Sequence, residues 1–286
     1  MTHPDSTSLA LRAKVRSSAL LEPYAVSFAH AASTPLTAPI VDVPSDGQSL
    51  LEGVIVSHLR NLHDPSRDHR GRSRFVITGI TATKNNLVLD ARGSAVAEVL
   101  HGLLPTWAHG QRSIESGIPG LRYAASDSGD GIRFHLLGQP GAVTVSGISV
   151  PAFEAYRQNT LIACGLRSVR SDSPRRDPEK RSPLWHIEKW PAASLVARRL
   201  GALMHPHVVS IDSWWNSRNS FAVELIASTD KPNPMPAIMS HFLSAHLSPR
   251  LHLRRSDGYH HYLSIDGSEI EIDIRMLRRD PRLISR

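Results

Sequence analysis

"SDGYHHYLSIDGSEIEIDIR", residues 256–275, ends in strict alternation: Ile270, Ile272 and Ile274 are apolar, and Glu271, Asp273 and Arg275 are charged. Period two marks a strand with one buried face. The turn at Asp266-Gly267 separates it from a shorter strand, so the stretch reads as a hairpin. Residues 126–148, "SDSGDGIRFHLLGQPGAVTVSGI", follow the same plan. The two segments superpose without a gap at an offset of 127 residues, which sets Phe134, Leu136, Val143 and Val145 against His261, Leu263, Ile270 and Ile272.

Working outward from these hairpins, the match continues. Residues 75–91 and 208–226 each read as two strands around an Asn-bearing turn, Lys84-Asn85-Asn86 in one and Asn216 to Asn219 in the other. A helix follows each pair, with Val96, Val99, Leu100 and Leu103 on one face of the first and Ile238 and Phe242 on one face of the second. A helix also precedes each pair, over 49–62 and 192–204. The expected fold is therefore α+β: two tandem copies of a helix-strand-strand-helix-three-strand module, with largely antiparallel sheets related by a pseudo-twofold axis. The expected boundaries are 1–45 for an N-terminal helix and irregular segment, 46–150 for the first module, 151–190 for a connecting helix and basic linker, and 191–286 for the second module with a basic tail. Leu11, Val15 and Ala19 are expected to share the inner face of the first helix. Residues 29–45, with three Pro, and the charged, Pro-rich stretch 167–183 read as irregular and solvated.

The chain of 286 residues carries a net charge of +7 and has 28 Arg but only five Lys. Codon bias in a GC-rich genome produces such a composition. So does an anionic partner, because Arg pairs bidentately with phosphate. The charge is concentrated. Arg60, Arg67, Arg70, Arg72 and Arg74 stand against Asp64 and Asp68. Arg167, Arg170, Arg175, Arg176, Lys180 and Arg181 stand against Asp172, Asp177 and Glu179. The tail holds Arg275, Arg278, Arg279, Arg282 and Arg286 against Asp280. These three segments hold more net positive charge than the whole chain, so the remainder is net acidic. Arg67, Arg70, Arg72, Arg74, Arg167, Arg170, Arg175, Arg176, Lys180, Arg181, Arg278 and Arg279 are accordingly the candidate nucleic-acid contacts, the partner being nucleic acid or, alternatively, another protein.

Chemistry is harder to place. A lone cysteine, Cys164, excludes an internal disulfide or a cysteine zinc site, and its apolar helical setting predicts a buried thiol. It also points to a cytoplasmic location. No apolar run is long enough to span a membrane, so no membrane partner is expected. His260 and His261, adjacent in a strand, face opposite ways; Glu269, Glu271 and Asp273 form an acidic row expected on a solvated edge strand. A divalent-metal nuclease at that row, or at His63, Asp64, Asp68 and His69, is the weakest alternative. No phosphate-binding glycine loop, nucleophile elbow or zinc-protease motif is present. The expectation is a non-catalytic protein with no metal or cofactor. Trp214 and Trp215 straddle a strand, one inward and one outward, and are the candidate interaction residues.

Overall fold

The computed structural model describes residues 6–35, 44–59, 75–93, 95–169, 173–182, 190–217, 219–244, 247 and 250–279. Helices α1 (Ser6–Leu20) and α2 (Tyr24–Ser33) come first, followed by α3 (Asp46–Val56). The first module then runs β1 (Ile77–Thr83), β2 (Asn86–Ala91), α4 (Val96–His101), β3 (Thr106–Ala108), β4 (Leu121–Ala125), β5 (Gly131–Leu136) and β6 (Ala142–Ser146). Helix α5 (Val150–Cys164), strand β7 (Leu166–Ser168) and helix α6 (Asp177–Lys180) connect to the second module. That module comprises α7 (Trp190–Ala197), α8 (Leu200–Leu203), β8 (Val208–Ser217), β9 (Ser220–Ser228), α9 (Met235–Phe242), β10 (Leu251–Ser256), β11 (His260–Ile265) and β12 (Glu271–Arg279).

The two five-stranded sheets have one topology. The first is ordered β1-β2-β6-β5-β4 and the second β8-β9-β12-β11-β10. In each, the central pair is parallel (β2 with β6, β9 with β12) and every other pair is antiparallel. Helix–strand–strand–helix–three strands is therefore built twice. Strand β3 stands apart from its sheet and pairs with β7.

The ladders correct the register of the duplication. Phe134 pairs with Val143, which pairs with Leu87. Leu263 pairs with Ile272, which pairs with Phe221. Phe134 thus corresponds to Leu263, an offset of 129 rather than 127. A shift of two keeps every side chain on its face, because the strand period is two. That is why the hydrophobic pattern alone could not detect it. His261 consequently stands where Ile132 does, and His260 where Gly131 does.

The modules share one continuous apolar core. Where they meet, α3 packs against α7, as a pseudo-twofold pairing requires. Gly53 makes that approach possible: a Cβ there would lie 2.4 Å from the Trp190 carbonyl oxygen. Beside it, the buried carboxylate of Glu52 accepts from Arg198 Nε (2.8 Å) and Nη2 (2.6 Å), Ser194 Oγ (2.6 Å) and Gln48 Nε2 (2.7 Å). Arg198 also donates to the Thr83 carbonyl, and Ser213 donates to that of Val56, so each helix is tied to the other module's sheet. A buried ion pair with every acceptor filled adds little net stability, but losing one partner costs several kcal/mol.

Several local expectations are revised. Val15 and Ala19 of α1 are buried as expected, but Leu11 is exposed, and Arg12 and Arg16 are buried beside them; Arg16 is held by a bidentate bridge to Glu22. The helix expected over 192–204 breaks into α7 and α8, and those over 49–62 and beyond Phe242 end early. Helix α2 occupies part of the stretch expected to be irregular from residue 29. Cys164 is exposed: it continues the face of α5 that buries Phe153, Arg157 and Leu161, but it stands in the helix's last turn, where residues 162–165 are all exposed.

Candidate nucleic-acid interface

The stretch 167–183 is not a solvated linker where it is described. Glu179, in the short helix α6, sits on the first sheet's edge strand β4 and forms a bidentate bridge with Arg122 (Oε1 to Nη1 and Oε2 to Nη2, both 2.9 Å). Both side chains are fully buried. Gly120 and Arg176 donate their backbone N–H to the same carboxylate at 2.8 Å each. Arg122 also donates to the carbonyls of Ser173, Pro174 and Leu121. Burial pushes the Glu179 carboxyl up, but the hydrogen bonds from Arg122 and from the two backbone N–H groups outweigh it and hold it below the usual carboxylate range. Residues 173–182 are thereby locked onto β4.

This docking shapes a cleft. In the β3–β7 ribbon, Trp107 and Arg167 are direct cross-strand partners. Helix α5 forms one wall with Ile162, and Arg176 and Pro178 of the docked segment form the other. The cleft is open and encloses about 760 Å³. Arg157 lies in it but is committed: it donates to the Val169 carbonyl at 2.9 Å and pairs with Glu154 at 3.0 Å. Arg167, Arg175, Arg176, Lys180 and Arg181 are exposed. Lys180 pairs with Asp177 at 3.1 Å, and that bond and its charge lower the Asp177 carboxyl.

The other candidates do not join this group. Arg278 is half-buried and donates from Nη2 to the carbonyls of Ser228, Thr229 and Lys231, closing the turn after β9. Arg279 is exposed at the end of β12. Arg67, Arg70, Arg72, Arg74 and Arg170 lie outside the described residues, as do His63, Asp64, Asp68 and His69.

The aromatic pair divides between faces. Trp215 turns inward, with its ring 5.7 Å from Trp190 and 5.0 Å from Phe221. Trp214 turns to the outer face of the second sheet, with the Arg275 guanidinium 5.8 Å from its ring. The acidic row is not on an edge. Strand β12 is the middle strand of its sheet, and Asp273 is fully buried there, with one carboxylate oxygen 2.5 Å from Arg275 Nε and the other without a donor. Such a carboxylate is a packed member of a polar row, not a solvated metal ligand.

His205 and His207 meet edge-to-face with ring centroids 4.9 Å apart, but among the described residues no group of three or more His, Cys, Asp or Glu could hold a metal ion. No helix of the described residues is long and apolar enough to cross a membrane. Sequence reasoning missed Trp107 and the Arg122–Glu179 bridge, because both depend on residues distant in the chain. The Glu154–Arg157 pair was visible in principle as an i, i+3 spacing within a helix.

No family model, no curated protein and no solved structure matches the chain.

Proposed function

We propose that the protein is a non-catalytic nucleic-acid-binding protein that holds phosphates on Arg167, Arg175, Arg176 and Arg181. The observation that carries this reading is the docking of residues 173–182 through Glu179. It converts an Arg-rich connector into a fixed wall, and it sets Arg176 across an open cleft from Arg167 and Trp107. Guanidinium groups carried on an anchored backbone lose less freedom on gripping phosphate than groups on an unanchored segment. An aromatic ring beside them offers a surface on which a base can stack.

Fluorescence anisotropy with labelled single-stranded and duplex oligonucleotides, between 50 and 200 mM salt, tests the proposal. Affinity falls steeply with salt, and the slope of log K against log salt becomes shallower by about 0.7–0.9 for each phosphate that a substitution leaves ungripped. The pair Arg167→Ala/Arg176→Ala is compared with Arg112→Ala/Arg133→Ala, which removes equal charge from exposed positions elsewhere. Equal losses from both pairs, or binding insensitive to salt, would overturn the assignment of the cleft.

A second reading rests on the outer face of the second sheet. Trp214, Tyr262 and Arg275 surround the buried Asp273 there, with Glu224 and Asp212 in the adjoining row. Acids interleaved with Arg and aromatic residues suit a protein partner better than a phosphate chain. On this reading a stoichiometric protein co-purifies from nuclease-treated lysate and is lost with Trp214→Ser.

A further inference from the structure

The Arg-lined cleft belongs to one module only. In the first module α4 ends at His101 and β4 begins at Leu121; in the second, α9 ends at Phe242 and β10 begins at Leu251. The longer connection carries β3, which pairs with β7 of the segment between the modules. Among the described residues the second module has no such ribbon. What the ribbon and α5 present is mixed in character. Trp107 is half-buried, packed against the core and also lining the cleft. On the α5 wall, Ile162 is 77% exposed, more than any other large apolar side chain described. A single exposed apolar residue is ordinary. Here Ile162 stands with Trp107 and Leu166 in one concavity, with guanidinium groups beside them, which is the make-up of a ligand site.

The charge in the cleft is small and countable. Arg157 is committed to Val169 and Glu154, and Asp177 is offset by Lys180 at 3.1 Å. Arg167 and Arg176 remain, and among the described residues neither is in an ion pair. A duplex displays its phosphates outside and keeps its bases stacked within. It would meet the two guanidinium groups and leave Trp107 and Ile162 uncovered. An unpaired strand offers phosphates and ring faces together. The cleft encloses about 760 Å³, within the roughly 300–1,000 Å³ typical of a small-ligand site, which suits unstacked nucleotides and not the body of a duplex. We propose, resting on the reading of the cleft as a nucleic-acid site, that it takes single-stranded nucleic acid. A base lies on Trp107 against Ile162, and the neighbouring backbone phosphates are held by Arg167 and Arg176.

Three probes of equal length separate these contacts: an unpaired oligonucleotide, the duplex of the same sequence, and an abasic strand that keeps the phosphates without the bases. Each is titrated with the full chain by fluorescence anisotropy, in a DNA series and an RNA series. The expected result, in either series or both, is that the unpaired strand binds at least tenfold more tightly than the other two. Trp107→Ala should abolish that preference and weaken the unpaired strand on the order of ten- to a hundredfold, leaving abasic binding and the salt slope unchanged. Trp107→Phe keeps a ring and should keep most of the affinity, which separates stacking from a folding defect. Arg167→Ala/Arg176→Ala should weaken all three probes and make the salt slope for the unpaired strand shallower by about 1.4, at about 0.7 for each phosphate. Suppose that the arginine pair loses binding, but the duplex or the abasic strand binds as well as the unpaired strand, or both Trp107 variants bind like the wild type. Single-strand recognition is then overturned while the nucleic-acid reading of the cleft stands. If the arginine pair loses nothing, that reading fails and single-strand recognition fails with it.

Discussion

Replacing Glu179 by Ala should release the docked segment while leaving both modules folded. The substitution removes two 2.9 Å bonds from Arg122 and strands the backbone donors of Gly120 and Arg176. It leaves the Arg122 guanidinium buried with only carbonyl acceptors. Breaking one side of a buried ion pair costs about 3–5 kcal/mol. At about 1.4 kcal/mol per tenfold, local opening should rise on the order of 10²–10³-fold. The segment carries its own assay, because trypsin cleaves after Arg175, Lys180 and Arg181. Where closing outpaces cleavage, the cutting rate tracks the open population, so Glu179→Ala should be cut on the order of 10²-fold faster at these bonds. Glu179→Leu combined with Arg122→Met, which removes both charges, should recover much of the protection, since well-packed apolar pairs replace buried bridges at little cost. The linkage has a definite sign. The folded carboxyl is held below its unfolded value, so docking is strongest above about pH 4.5 and is lost as pH falls further, through the folded value. Cutting of Glu179→Ala at the wild-type rate would refute this account of the docking and, with it, the fixed wall of the cleft.

Two further perturbations follow. His261 lies on the core face opposite Ile274, with both ring nitrogens buried and lacking hydrogen-bond partners, and burial lowers its pKa. The unfolded chain takes up that proton near pH 6.5, so stability is full above this value and falls as pH drops below it; His261→Leu should flatten the change in urea midpoint between pH 7.5 and 5.5, and an unchanged slope would count against it. Gly53→Ala should destabilise by about 1–3 kcal/mol, because its Cβ would meet the Trp190 carbonyl oxygen at 2.4 Å and force α3 from α7; a neutral result in chemical denaturation would mean that the helices pack more loosely.

The duplicated plan was legible because strand alternation and hairpin turns are local, and they recur in order along the chain. The exact equivalence was not. Shifting β11 and β12 by two residues preserves inward and outward faces, so Phe134 could be matched to His261 or to Leu263 with the same hydrophobic pattern. Only the ladder through Val143 and Ile272 decides. The position of β12 within its sheet was equally hidden, since a parallel pairing with β9 arises across α9 and two intervening strands. Asp273 therefore read as a solvated edge residue when it is a buried central one. The candidate site was legible as composition: Arg167, Arg175, Arg176 and Arg181 were visible as a cluster. What it lacked was Arg122, about fifty residues upstream, whose side chain turns the cluster from a tether into a surface.

Duplication also explains why the sites fall where the copies disagree. The shared parts, α3 with α7 and the two five-stranded sheets, hold one core in common, and the residues there are constrained by packing on both sides. The segment between the modules, α5 through α6, belongs to neither repeat. It seals the β4 edge by placing Phe153 over Tyr123 and Glu179 against Arg122. In doing so it creates the Arg-lined cleft on its own outer side. The equivalent edge on β10 receives no such cover among the described residues, and its residues differ accordingly: Arg122 is matched by an exposed His252, Tyr123 by a smaller Leu253, and Ala124 by a charged Arg255.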